Sequence, residues 1–233
     1  MRELALFTGI GGGLLASKLL GWQTICGVEK DSYSRRLLLE RQREKCLDLF
    51  PIWDDIKTFD GKPWRGQVDI VSGGFPCQPF SRASQSRSRV ENLWPEMRRV
   101  VREVKPQYVF TENVSREPIE QAAFELFSDG FVVSFSEIES TQLGSPHKRS
   151  RWWLAAYADD QEQLVVPINA EKPRLQIAPR QIWPTPGAEV LGDDDGLPYK
   201  MDRFRGIGNA QSPQVAALAW LFLTRGIESV VRN

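Results

Sequence analysis

Among the 233 residues, Cys77 is the side chain best placed to act as a nucleophile. It sits in Gly73-Gly74-Phe75-Pro76-Cys77-Gln78-Pro79-Phe80-Ser81, a loop tightened by glycine and proline on both sides. The apolar run Val68 to Ser72 precedes it and reads as a buried strand of the parallel kind, so the thiol stands where open α/β sheets bind ligands. Most lone cysteines are buried and inert. The arginine-rich stretch that follows, with Arg82, Arg87 and Arg89 and then Arg98, Arg99, Arg102 and Lys105, is the kind of positive surrounding that favours a thiolate. Cys26, within a strand, and Cys46, at a helix end, are read as packing residues. With three separated cysteines, no CxxC pair and His147 as the single histidine, neither a disulfide framework nor a metal site is expected.

Three further features bear on that thiol. Glu112-Asn113-Val114 closes another apolar strand, which brings the Glu112 carboxylate to the same sheet edge, partly desolvated and with a raised pKa. Such a group suits proton sharing with a ring nitrogen, although an ordinary surface glutamate has the same spacing. Arg149 and Arg151 alternate along one strand and therefore point the same way, a fit for a carbonyl oxygen or a phosphate, or else a solvated pair. The turn Phe7-Thr8-Gly9-Ile10-Gly11-Gly12-Gly13 lets backbone approach a ligand at the end of the first strand, and Glu29, at the end of the second, is placed to accept from ribose hydroxyls. Against a nicotinamide-type fingerprint the third glycine falls at Leu14, which disfavours an oxidoreductase.

The elements that must hold these groups follow from the pattern. Leu4 to Phe7, Thr24 to Glu29, Val68 to Ser72 and Tyr108 to Thr111 read as strands separated by amphipathic helices, one from Ser32 to Lys45 and others starting at Pro95 and Ile119. Phe131 to Ile138 and Trp152 to Tyr157 read as an antiparallel pair. The fold class is α/β, a Rossmann-like, mostly parallel sheet with helices on both faces. Ala158 to Tyr199 is rich in Pro, Gln and Asp with little periodicity, and Val215, Leu218, Ala219, Phe222 and Leu223 then recur at helical spacing. Lys plus Arg equals Asp plus Glu at 30 each, so binding to nucleic acid cannot rest on net charge and must rest on local clusters. MRELALFTGIGGG has too short an apolar run for a signal peptide and no stretch reaches membrane-spanning length, the pattern expected of a cytoplasmic protein.

Taken in order, these motifs resemble the cytosine C5 DNA methyltransferase family from Leu4 to Tyr157 and again from Arg205 to Leu223. The glycine turn is similar to that family's cofactor loop, Pro76-Cys77-Gln78 to its nucleophile motif, Glu112-Asn113-Val114 to its acid motif, Arg149 and Arg151 to its paired arginines, and Gly208-Asn209 to its closing motif. The resemblance implies S-adenosylmethionine as cofactor, double-stranded DNA as substrate, and a flipped cytosine attacked at C6 by Cys77 while Glu112 shares a proton with N3 and Arg149 holds O2. It further implies a cofactor site of Phe7, Gly9, Gly11, Gly12, Glu29, Asp55, Ile56 and Asn209. Three regions are implied: residues 1–157 for catalysis and cofactor binding, 158–204 as an unusually short target-recognition segment, and 205–233 as a helix packing back. Ala5, Lys30, His147 and Gln211 depart from the family pattern, Gln211 standing where valine is usual, and the compact form resembles phage or prophage members in a bacterial setting. A monomer is presumed. A branch acting on transfer RNA and a catalytically silent DNA-binding relative are the alternatives the same motifs allow.

Overall fold

The computed structural model describes residues 1–77, 91–143, 145, 148–158, 168–169 and 210–231. Its eight strands are β1 (Arg2–Leu6), β2 (Gln23–Val28), β3 (Ile52–Trp53), β4 (Ile70–Gly74), β5 (Tyr108–Asn113), β6 (Phe131–Glu139), β7 (Ser150–Ala158) and β8 (Ile168–Asn169). They form one sheet in the order β3-β2-β1-β4-β5-β7-β6-β8. Strands β1 to β5 pair in parallel, β8 pairs in parallel with β6, and β7 runs against both β5 and β6. The order reverses at β1, whose partners β2 and β4 lie on either side, and that switch opens a crevice beyond the carboxyl ends of the strands.

Among the described residues five helices cover the sheet: α1 (Gly12–Leu19), α2 (Ser32–Arg43), α3 (Trp94–Val104), α4 (Arg116–Ser128) and α5 (Pro213–Val231). The period-2 alternation of the strands sorts side chains between the two faces. Val71, Val109, Leu154 and Ala156 join Met97, Val100 and Ile119 under α3 and α4, while Ile70, Phe110, Trp153 and Ala155 join Ala16, Ala216 and Trp220 under α1 and α5. Each fully buried Val, Leu, Ile, Phe or Met among them contributes roughly 1.5–3 kcal/mol relative to exposure. On the second face Trp22 meets Trp220 edge-on at 4.9 Å and Phe110 stacks on Trp153 at 5.3 Å, which fixes the C-terminal helix against the sheet beside α1.

Several boundaries differ from the sequence expectations for local reasons. Asp31, not Ser32, caps α2, accepting from the Ser34 backbone amide at 2.8 Å. Strand β4 begins two residues later than its apolar run and continues through Gly73 and Gly74, and β5 extends to include Glu112 and Asn113. Helix α3 ends when Lys105 turns left-handed, ahead of Pro106. Cys26 is buried as expected, its thiol pushed up to about 11 by desolvation, but Cys46 is exposed, its thiol 4.0 Å from the Glu44 carboxylate. No described helix is long and apolar enough to cross a membrane, and no described His, Cys, Asp and Glu side chains cluster as a metal site.

Candidate functional site

A cleft of about 450 Å3 lies over the switch point, lined by the exits of β1, β2, β4 and β5 and by the start of β7. Phe7, Gly9, Glu29, Cys77, Glu112 and Arg151 all line it, so residues scattered from position 7 to 151 meet at one rim. The glycine turn enters the cleft through a left-handed Phe7, with φ 53° at a side chain that ordinarily avoids that region. The bend is held from β2: one Glu29 carboxylate oxygen accepts from the Gly9 amide at 2.6 Å and the other from the Asp31 amide at 2.8 Å. Burial nevertheless raises the Glu29 pKa against those two bonds.

Cys77 leaves β4 on a loop fixed at two carbonyls. The Asn113 side-chain amide donates to the Phe75 carbonyl at 2.9 Å, and the Leu93 backbone amide donates to the Pro76 carbonyl at 3.1 Å. Asn113 is 3% exposed, and its own oxygen accepts from the Ser115 amide at the start of α4. The sequence singled out its neighbour Glu112 and passed over this asparagine; its signal is a polar residue closing an apolar strand, where burial demands partners.

The thiol environment corrects one expectation. Cys77 is half-buried, and desolvation, with Glu117 nearby, raises its pKa. Arg98 and Arg102 of α3, expected to help ionise it, are engaged elsewhere: Arg98 binds Glu125 and Asp129 at 2.8 Å each, and Arg102 binds Asp129 at 2.6 Å. The basic and acidic stretches thus pair α3 with α4. Arg82, Arg87 and Arg89 lie outside the described residues, as do His147, Gly208 and Asn209.

Glu112 is 8% exposed, and its Oε1 meets Arg151 Nε at 2.9 Å. Burial raises its pKa, while Arg151, Arg149 and a hydrogen bond from Gln211 work in the opposite direction. The two arginines divide their work differently from the sequence expectation. Arg151 stands in the cleft beside the acid, whereas Arg149 donates to the Ala210 carbonyl at 2.7 Å and so fastens the chain just before α5. Of these two, Arg151 is the one that lines the cleft.

Four residues expected to contact the cofactor lie outside the lining of the cleft. Gly12 is needed for packing, because a Cβ there would stand 2.1 Å from the Gln211 carbonyl oxygen, and Gly11 makes the left-handed turn into α1. Neither lines the cleft. Asp55 pairs with Lys30 at 2.9 Å and accepts from the Lys57 amide, and Ile56 is a core residue whose carbonyl accepts from Arg99. The sequence also missed Gln211 as a lining residue, although it had marked the position as unusual.

A nearly parallel sheet with one reversed strand, a glycine bend and an acidic residue at the exits of β1 and β2 defines a Rossmann-like methyltransferase fold. Among solved structures, a mutant of DNMT2 from Spodoptera frugiperda superposes with a TM-score of 0.59 at 18% identity, covering 76% of this chain and 55% of that one. The sequence profile of the C-5 cytosine-specific DNA methylase family matches residues 1–193, and the chain belongs to that family. Similar relatives include the type II methyltransferase M.PspPI of a Psychrobacter species, 37% identical over 47% of this chain and 26% of its own length. The type II methyltransferase M.CviJI of a Paramecium bursaria Chlorella virus is 28% identical over 73% of this chain and 47% of its own length. The chain therefore spans at most about half of either relative.

Proposed function

We propose that the chain transfers a methyl group from S-adenosylmethionine to C5 of a cytosine flipped out of double-stranded DNA, using Cys77 as a covalent nucleophile. The observation that carries this reading is the convergence of Cys77, Glu112, Arg151 and the glycine bend on one cleft. The cofactor fits the residues present: the Glu29 carboxylate and Phe7 flank the bend, and the Thr8 hydroxyl, buried beside them, has no partner among the described residues. Glu29 would hold the ribose and the bend would hold the rest of the cofactor, with Asn209 assigned to the same pocket by family likeness. When bound, S-adenosylmethionine supplies a methyl group on a positively charged sulfur.

C5 of cytosine is too electron-poor to accept a methyl group unaided. The Cys77 thiolate adds to C6, and the electron pair displaced from the C5–C6 bond is made available at C5. Glu112 shares a proton with N3 and Arg151 faces O2, so charge developing on the ring meets fixed donors. After C5 is methylated, with S-adenosylhomocysteine as the by-product, loss of the C5 proton to solvent expels the thiolate from C6 and restores aromaticity. Burial and Glu117 raise the Cys77 pKa, so the thiolate forms at a cost, its proton passing to solvent. A base stacked in a duplex cannot reach the cleft, hence the flip. Residues 1–157 with the returning C-terminal helix form the catalytic unit, and residues 158–204 serve as a short recognition segment.

Tritium release from C5-labelled substrate tests the reading, with DNA and transfer RNA compared directly. Release from DNA that disappears in Cys77→Ala, with cofactor binding retained, is the expected result. Release from transfer RNA alone, or undiminished release by Cys77→Ala, overturns it.

A further inference from the structure

Gln211 reaches into the cleft from the segment before α5, and it touches both halves of the site. Its backbone carbonyl lies against Gly12, and its side-chain oxygen sits 2.6 Å from where a Cβ on Gly13 would be. The other end of the same amide, Nε2, shares the space over Gly74 with Glu112 Oε2: the two atoms lie 3.1 and 2.8 Å from the position a Gly74 Cβ would take. The amide hydrogen-bonds the Glu112 carboxylate. Arg151 holds Oε1, so the acid is gripped from β7 on one oxygen and from the C-terminal segment on the other.

We propose that Gln211 is a positioning residue for Glu112, fixing the carboxylate over Gly74 and linking its orientation to the N-terminus of α1 beside the glycine bend. The inference deepens the proposed function and rests on it for the role of Glu112 in turnover. An amide can donate to a carboxylate without adding charge, so it orients the acid and favours its ionised form less strongly than a second arginine does. The charged groups acting on Glu112 are Arg151 and Arg149.

The test compares wild type with Gln211→Met, which keeps length and removes the amide, and with Gln211→Glu, which sets a second carboxylate beside Glu112. Loss of a neutral donor raises the pKa of the acid, so the alkaline limb of the kcat/KM profile on DNA is expected to move up by roughly half a unit to one unit in Gln211→Met. Gln211→Glu is expected to move it further in the same direction. Isotope-edited infrared titration of glutamate carboxyls reads the same displacement without turnover, the Glu112 band being assigned by its absence in Glu112→Gln. An unmoved Glu112 midpoint in both variants overturns the inference. If wild type releases no tritium from DNA while the infrared midpoint still shifts, the proposed function fails and the positioning role stands.

Discussion

Asn113→Ala is the sharpest test of how the nucleophile loop is held. The amide makes two hydrogen bonds, to the Phe75 carbonyl at 2.9 Å and from the Ser115 amide at 3.1 Å, in a site 3% exposed. Truncation leaves the Phe75 carbonyl without its side-chain donor, and a buried polar group deprived of its partner costs about 1–3 kcal/mol. Ser115 lies at a helix start within reach of solvent, so its loss adds less, and a total of about 2–3 kcal/mol follows. In a domain of this size each kcal/mol lowers Tm by about 2–4 °C, giving a fall of roughly 4–12 °C by calorimetry. Because the same bond fixes the approach to Cys77, covalent capture of DNA carrying 5-fluorocytosine should slow even well below the new Tm. Val114→Ala, at a residue 54% exposed, serves as the control and should change stability by no more than about 0.5 kcal/mol. A variant that melts with wild type and captures substrate at the same rate would refute the reasoning.

Other perturbations probe separate parts of the molecule. Glu3 is buried in β1, accepting from Ser17, Thr24 and Ser72 at 2.6–2.7 Å, and desolvation raises its pKa above the ordinary value. Between the unfolded and folded pKa values the native state keeps a proton that the unfolded chain has lost, so stability falls as pH rises through that window. Glu3→Gln should flatten that slope in denaturant melts taken across the window, and an unchanged slope counts against the assignment. Gly12→Ala forces a methyl into the Gln211 carbonyl and should displace the segment before α5, seen as faster amide exchange at the start of that helix. Glu117→Gln removes the charge that helps raise the Cys77 pKa, so the midpoint of Cys77 alkylation against pH should move down; an upward move contradicts the stated cause.

Much of this architecture was legible where local pattern and burial coincide. The apolar runs of β1, β2, β4 and β5 and the helical spacing of Val215, Ala219 and Leu223 located their elements, and the glycine bend, Cys77 and Glu112 fell at strand exits for the same reason. What stayed hidden depends on contacts between distant segments. The insertion of β7 between β5 and β6 is set by sheet pairing, and Arg149 and Arg151 differ only because Ala210 returns beside one of them. Ile56 follows Asp55 in sequence yet turns into the core, which spacing cannot foretell. The resting state of the thiol also depended on partners: the arginines of α3 had acids across the helix pair that charge counting could not match.

The reversed direction of β7 has a consequence for how such a cleft can be assembled and altered. Strands running with the sheet contribute their last residues to the upper rim, whereas a strand running against it contributes its first, which is why Arg151 can meet Glu112 across the Asn113–Trp152 pair. A tenth residue slipped into that nine-residue strand would turn the guanidinium to the opposite face. The other end of β7, Ala158 beside Gln107, opens away from the chemistry. Acid and guanidinium are thus held at one end of β7, and the Phe131–Ala158 pair closes the other.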